Sequence, residues 1–292
     1  MLHIAELEVP QPGPGEVLVE VRAASINPGE ASIRKGLLHE RWPTTFPSGE
    51  GTDLAGVVTT VGDGVSEFAM GDEVLGWSWN RSSHAEFVTV PAGQLVAKPA
   101  ALSWEAAGSL NVAGSTAWAA VEAVDPKPGE TVAVSAAAGG VGSFAVQLLR
   151  FRDAKVIGIA SRANHAWLLD HGVTPVAYGD GLEARVRAAA PDGVDGFIDT
   201  HGPEYVELAI ALGVAPQRID TVTAFELAAE VGAKTEGSVV GSTPAAMTAL
   251  AELAATGRLE VPIAATYPLE RVRDAFAELE QGHTRGKIVL IP

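Results

Sequence analysis

Ala136-Ala137-Ala138-Gly139-Gly140-Val141-Gly142 is the stretch of this chain best suited to holding a ligand. Val132 and Val134, just before it, belong to a short apolar run that reads as a buried strand. Val141, Ala145 and Leu148, within and after it, recur at helical spacing. A strand, a tight glycine turn and a helix together make an anion cradle. Glycines let the backbone approach a pyrophosphate, and the new helix offers free N–H groups and its positive end. The G-x-G-x-x-G pattern of dinucleotide-binding units falls on Ala137, Gly139 and Gly142, with alanine in place of the first glycine. A glycine turn in any α/β protein would look similar. Residues 156–160, a second apolar strand about twenty residues after the glycines, favour the dinucleotide reading.

The end of that second strand bears on which dinucleotide. An Asp or Glu there accepts from a ribose 2′-hydroxyl and selects NAD. This chain has Ala160-Ser161-Arg162 and no carboxylate between Ile159 and Asn164. Ser161 can donate to a 2′-phosphate, and Arg162 can face it with a planar fork of donors. The alternative is that Arg162 is one more solvated charge. The missing carboxylate argues against NAD on its own, so NADPH is the expected cofactor.

These residues need a framework, and the composition bounds it. The chain has 292 residues, of which 47% are apolar, enough for a large core in one or two domains. The formal charge of −16 and the absence of any Lys/Arg cluster exclude a nucleic-acid surface. There is no cysteine, so disulfides and thiolate metal sites are excluded. The seven histidines are scattered, without an H-x-x-x-H pair. His84, His165 and His201 read as surface or structural residues rather than general acids. His201 is the most suggestive, because it follows a strand end. No apolar run reaches the length of a membrane span. The N-terminal segment lacks a basic region followed by an apolar one, so it is not a signal peptide, and the expected compartment is the cytoplasm.

Along the chain, residues 1–110 are β-rich. Val17, Val19 and Val21 alternate as one face of a strand, and further short strands are expected at 55–61, 73–75, 85–90 and 95–98. Ser103 caps a helix start, and a second helix runs from about Ser115 through Val121. From Thr131 strands and helices alternate, with strands at 156–160, 175–178, 196–199, 219–222 and 238–240. Six strands with crossing helices imply a doubly wound parallel sheet. The tail adds a strand at 263–267, a helix at 269–280 and a closing strand at 287–290.

With these stretches in place the chain resembles the medium-chain dehydrogenase/reductase superfamily, and within it the zinc-free, quinone-oxidoreductase-like branch. The matching stretches are PGPGEVLVEVRAASINP, GTDLAGVVTTVGDGVSEFAMGDEVLG, AEFVTVPAGQLVAKP, AGSTAW, AAAGGVGSFAVQLLR and RGKIVLIP, in family order over almost the whole chain. The resemblance implies an α/β protein with a GroES-like β-rich catalytic domain at 1–110 and 262–292, and a Rossmann domain at 111–261. It places Asn27 and Thr52 where zinc alcohol dehydrogenases carry a cysteine and a histidine ligand. Neither suits a zinc site of the usual N/S kind, so no metal is expected.

The resemblance also supplies roles. Asn27 would donate a hydrogen bond to a developing oxyanion, although a turn residue before Pro28 is an equal reading. Thr116 would touch the nicotinamide, although a helix-start hydroxyl is an equal reading. Ala138, Gly139, Gly140, Val141, Gly142, Ser161, Arg162, Tyr178, Thr200 and Lys287 would contact the cofactor. Trp42, Trp77 and Trp79 suit either the lining of an apolar cleft or a core. Two departures stand out. Family members carry a further strand upstream of Leu2-His3-Ile4, so either the start is late or an edge strand is missing. A tyrosine that some relatives carry after the Asn27 region is absent, which leaves the proton donor open. The expectation is a zinc-independent, NADPH-dependent reductase of a quinone or similar conjugated carbonyl, acting as a homodimer on a small electrophile. A 2-enoyl or enone reductase is the nearest alternative, and a non-catalytic NADPH-binding sensor or accessory protein the other.

Overall fold

In the computed structural model, which describes residues 2–292, the alternation of Val17, Val19 and Val21 builds β1 (Glu16–Ser25), and all three side chains are buried. In chain order there follow α1 (Pro28–Arg34), β2 (Asp53–Val61), β3 (Glu73–Trp77), β4 (Phe87–Pro91), β5 (Leu95–Ala97) and α2 (Trp104–Ala107). Next come α3 (Thr116–Val124), β6 (Thr131–Val134), α4 (Gly140–Phe151), β7 (Lys155–Ala160), α5 (His165–Asp170), β8 (Thr174–Ala177) and α6 (Leu182–Ala189). The chain closes with β9 (Gly196–Asp199), α7 (Pro203–Ala211), β10 (Ile219–Thr221), α8 (Phe225–Val231), α9 (Ser238–Gly241), α10 (Pro244–Ala255), β11 (Ile263–Pro268), α11 (Val272–Leu279) and β12 (Lys287–Ile291).

Two compact units result: Met1–Val112 with Ser242–Pro292, and Ala113–Gly241. In the first, the strands run in the order β11-β12-β1-β2-β3-β5, with β4 also paired to β1. All these pairs are antiparallel except β11–β12. Its core is aliphatic, built from Val17, Val19, Val21, Leu54, Val58, Val74, Val88, Val90 and Leu95. A second cluster joins Ile26 and Ala31 to Phe276, Ile288 and Leu290, which binds the end of the chain to its beginning.

The second unit holds a parallel sheet in the order β10-β9-β6-β7-β8. Helices follow the strands, as a parallel sheet requires. Every residue of β6 and β9 is buried, which is why these strands read as continuous apolar runs rather than alternating ones. The organisation is the expected one, a β-rich unit plus a doubly wound α/β unit.

Two expectations are corrected. The sixth strand, placed at 238–240, is instead the short helix α9, so the parallel sheet has five strands. A run of three apolar or small residues cannot distinguish strand from helix by periodicity. Here close packing decides: α9 lies on α3, and a Cβ on Gly241 would fall 2.0 Å from the Ser115 carbonyl oxygen. Val239 and Val240 remain exposed. The second correction concerns residues 242–261, expected with the parallel-sheet unit because α10 continues the strand–helix alternation. They belong to the first compact unit, where α10 packs on β5. Among the described residues, no helix is long and apolar enough to cross a membrane.

Candidate functional site

In the second unit the glycine turn joins β6 to α4. Ala136 turns the chain with a positive φ of 42°, and Gly139 donates back to the Ala136 carbonyl at 2.8 Å. Gly142 is obligatory. A Cβ there would lie 2.3 Å from the Ala136 oxygen and 2.8 Å from the Ala137 Cα, so the helix could not start so close to the turn. Gly139 caps α4 without a side chain to satisfy the first-turn donors. The N–H groups of Gly140, Val141 and Gly142 have no intrahelical acceptor by the geometry of any α-helix. An uncapped, glycine-walled helix start of this kind fits a pyrophosphate. Ala138 is buried beneath the turn, and Gly140 and Val141 are half-buried at its surface.

Ala137 occupies the place of the first fingerprint glycine and is fully buried. Its N–H donates to Ile159 at 3.0 Å on the neighbouring strand. Room for its methyl comes from Gly158, whose own Cβ would meet the Ala137 Cβ at 3.1 Å.

The strand ends beside the turn are pinned by Asp199, which sequence reasoning passed over. Its carboxylate accepts from Ser135 Oγ (2.6 Å), Thr221 Oγ1 (2.7 Å), Thr223 Oγ1 (3.2 Å) and the N–H groups of His201 (2.9 Å) and Gly202 (3.2 Å). One buried carboxylate thus ties the ends of β6, β9 and β10. The available signal was a lone Asp closing an apolar strand. Thr200 joins the same knot, with its N–H on Ser135 Oγ and its Oγ1 on the Ser135 carbonyl, both at 2.8 Å. His201 lies exposed beside Glu204, in edge contact with Tyr205.

The parallel pairing of β7 with β8 sets Ala160 opposite Ala177. Ser161-Arg162 and Tyr178 therefore leave the sheet at neighbouring strand ends. Ser161 is half-buried and its Oγ accepts from Asn164 Nδ2 at 3.2 Å, whereas Arg162 and Tyr178 are exposed. Thr116 opens α3 and is nearly buried, at 6% exposure.

In the first unit a polar cluster lies buried around the loop from β1 into α1. Asn27 Nδ2 donates to Glu30 Oε1 (3.2 Å) and Asp53 Oδ2 (3.1 Å), while Asn27 Oδ1 accepts from the Lys287 ammonium (2.5 Å). The orientation of the amide is chemically dictated, since the reverse would aim its oxygen at two carboxylates. Both Asn27 N–H bonds are thereby committed inside the protein. Asn27 stands just before α1, and its amide donors are held by Glu30 and Asp53 rather than left free for a ligand. Lys287, expected at the cofactor, is held in this same cluster. It is 3% exposed, and its ammonium also faces the Ile26 carbonyl (3.4 Å) and Asp53 Oδ2 (3.5 Å).

Asp53 further accepts from Ser25 Oγ (2.5 Å) and the Val112 N–H (2.6 Å). Glu30 accepts from the N–H groups of Asn27 (2.9 Å) and Thr52 (3.0 Å). Burial, reinforced by the Asp53 charge, pushes the Glu30 carboxyl up to about 7, while hydrogen bonds from Asn27 favour the anion. Burial pushes the His84 imidazole down, favouring its neutral form; its Nε2 lies 3.2 Å from the Ser25 carbonyl and 4.0 Å from Glu30. Trp77 is buried with its indole N–H unpartnered, while Trp79 is exposed and Trp42 half-buried. Among the described residues, no group of three or more His, Cys, Asp or Glu side chains could hold a metal ion.

Comparison with known proteins places this arrangement. The alcohol dehydrogenase GroES-like domain family matches residues 13–176, and the zinc-binding dehydrogenase family matches residues 168–290. The mitochondrial NAD(P)H oxidoreductase RTN4IP1 of Bos taurus is 30% identical, over 95% of this chain and 82% of its own. The quinone oxidoreductase of Coxiella burnetii is 29% identical, with a TM-score of 0.87 over 98% of this chain and 93% of the other. The Escherichia coli quinone oxidoreductase solved with NADPH is 27% identical, with a TM-score of 0.87 over 99% and 95%. A glycine-walled helix start in a parallel sheet, a β-rich partner unit closed by the chain's own end, and these likenesses along nearly its full length lead to one assignment: the chain belongs to the medium-chain dehydrogenase/reductase superfamily and is similar to its quinone oxidoreductases.

Proposed function

We propose that this chain is an NADPH-dependent reductase that works without a metal and passes hydride to a quinone or similarly conjugated carbonyl compound. The observation that carries the proposal is the uncapped helix start at Gly139–Gly142, beside a β7 end that offers Ser161 and Arg162 and no carboxylate. The likeness to oxidoreductases named for NAD(P)H and for quinones supports it. In this reading Ala138, Gly139, Gly140, Val141 and Gly142 hold the pyrophosphate, Ser161, Arg162 and Tyr178 the 2′-phosphate, and Thr200 lies toward the ribose. Thr116 touches the nicotinamide, which when bound supplies the hydride.

The chemistry of the cluster supports metal independence. A carboxamide and a hydroxyl, Asn27 and Thr52, replace thiolate and imidazole, and the Asp53 carboxylate there already faces the ammonium of Lys287. An acceptor that is electrophilic by conjugation needs little polarisation, which suits a site whose Asn27 amide is internally occupied. A cytoplasmic homodimer completes the proposal.

The test is loss of nicotinamide absorbance when protein and NADPH meet a panel of quinones and enones, with and without EDTA. Turnover of quinones that is unaffected by chelation is expected. Turnover of saturated ketones alone, or activity that EDTA removes and zinc restores, would overturn the reading. Preference for enones over quinones would select the enone-reductase alternative.

A further inference from the structure

The turn after β8 is held by one side chain. Arg185, on the first turns of α6, donates from Nε to the Ala177 carbonyl (3.0 Å), from Nη1 to Asp180 (2.6 Å) and from Nη2 to Gly179 (3.0 Å). Gly179 and Gly181 supply the positive φ angles, 98° and 75°, that let those carbonyls converge. In a trans peptide the C=O of one residue and the N–H of the next point in opposite directions. Gathering the carbonyls of 177, 179 and 180 onto one guanidinium therefore turns the N–H groups of Tyr178, Asp180 and Gly181 away from it. Of these, the N–H groups of Asp180 and Gly181 are successive, and successive N–H groups facing outward favour an anion. The same turn displays the exposed Tyr178 beside the end of β7, because Ala160 and Ala177 are paired. Asp180 brings a negative charge to this turn, and Arg185 offsets it.

We propose that Arg185 is a positioning residue for the 2′-phosphate of the cofactor, acting through the turn Tyr178–Gly181 rather than by contact. This rests on the NADPH reading above. It assigns part of the NADPH-over-NADH preference to a residue whose donors all point at backbone carbonyls. A lysine keeps the charge but cannot present three donors in a planar fork, so the shape of the turn and the charge are separable.

The experiment titrates the wild type, Arg185→Ala, Arg185→Lys and Arg162→Ala with NADPH, NADH, 2′,5′-ADP and 5′-AMP. NADH and 5′-AMP report folding of the rest of the site, and melting curves accompany each variant. Both Arg185 variants are expected to bind NADPH and 2′,5′-ADP about three- to tenfold more weakly, with NADH and 5′-AMP changed less than about twofold. Arg185→Lys at wild-type affinity for the phosphorylated ligands would overturn the role of the turn, and equal losses for all four ligands would show a structural effect only. A wild type without preference for NADPH would remove the cofactor reading itself, and the positioning role with it. A preference that Arg162→Ala abolishes but neither Arg185 variant alters would leave that reading standing and overturn this one.

Discussion

The Lys287 ammonium sits 2.5 Å from Asn27 Oδ1, joining the last strand of the chain to the loop that opens α1, 260 residues earlier. The same nitrogen faces Asp53 at 3.5 Å, and Asp53 and Glu30 both hold the Asn27 amide. One cation thus faces Asp53 directly and is linked to Glu30 through a shared side chain.

Lys287→Met should therefore be severe. It leaves both carboxylates buried without their counter-charge, and loss of one partner from a buried pair costs about 3–5 kcal/mol. Urea unfolding at pH 8 measures it. The loss should shrink as the pH falls through about 7, because the protonated Glu30 carboxyl no longer needs the cation. A variant within about 0.5 kcal/mol of wild type would show that the ammonium is not structurally required.

Gly142→Val addresses the turn. Its Cβ would overlap the Ala136 carbonyl and the Ala137 backbone, so the helix start must move. Overpacking costs about 1–3 kcal/mol, and binding of the dinucleotide should weaken by at least about tenfold. Fluorescence titration with NADPH, alongside a melting curve, separates the two effects. Retention of affinity within about twofold in a folded variant would move the cofactor site elsewhere.

Arg162→Ala tests the phosphate end. A charge-assisted hydrogen bond is worth about 1.5–3 kcal/mol, so NADPH should bind about tenfold to a hundredfold more weakly, nearer the lower value because Arg162 is exposed. NADH should be unaffected. Paired titrations of both cofactors decide it, and equal losses would refute the assignment.

Asp220 carries a pH signature. It is fully buried on β10, one oxygen accepts from the Glu236 N–H at 2.8 Å, and the other has no partner. Burial, with the nearby charges of Glu236 and Asp199 outweighing Lys234, pushes its carboxyl up to about 7. The native state thus keeps a proton that the unfolded chain releases near pH 3.8, and stability from this group falls as pH rises from there to about 7. Asp220→Asn removes that decline. It should be close to neutral at pH 4 and stabilising by about 1–3 kcal/mol at pH 8. His84 titrates in the opposite sense below about pH 6.5, so the difference between variant and wild type is the quantity to follow. A difference that does not grow with pH would show that Asp220 is ionised in the native state.

Much of the fold was legible because the signals are local. The stretch from β6 through the turn to the first residues of α4, the alternation of Val17, Val19 and Val21, and the β7 end at Ser161-Arg162 each lie within a dozen residues. The partners of Asn27 did not show, since Glu30 is three residues away, Asp53 twenty-six and Lys287 two hundred and sixty, and only the folded sheet brings them together. That distance is why these partners of Asn27 and Lys287 could not be read from the chain. Asp199 was hidden for the same reason, its hydroxyl donors coming from Ser135, Thr221 and Thr223 on other strands or loops. Residues 238–240 failed for a local reason, a run too short for its period to be read.

The room that Gly158 leaves for the Ala137 methyl has a consequence for how this turn varies. The space that a glycine at 137 would leave open is here left open on the adjoining strand, where the bare Gly158 admits the Ala137 methyl along with Val173 and Leu168. The small residue has in effect moved across the sheet rather than been lost. The two positions share one allowance of volume: Gly158→Ala alone overfills it, and Ala137→Gly together with Gly158→Ala restores part of the room. In this chain the turn is therefore specified by a pair of residues, Ala137 and Gly158, rather than by position 137 alone.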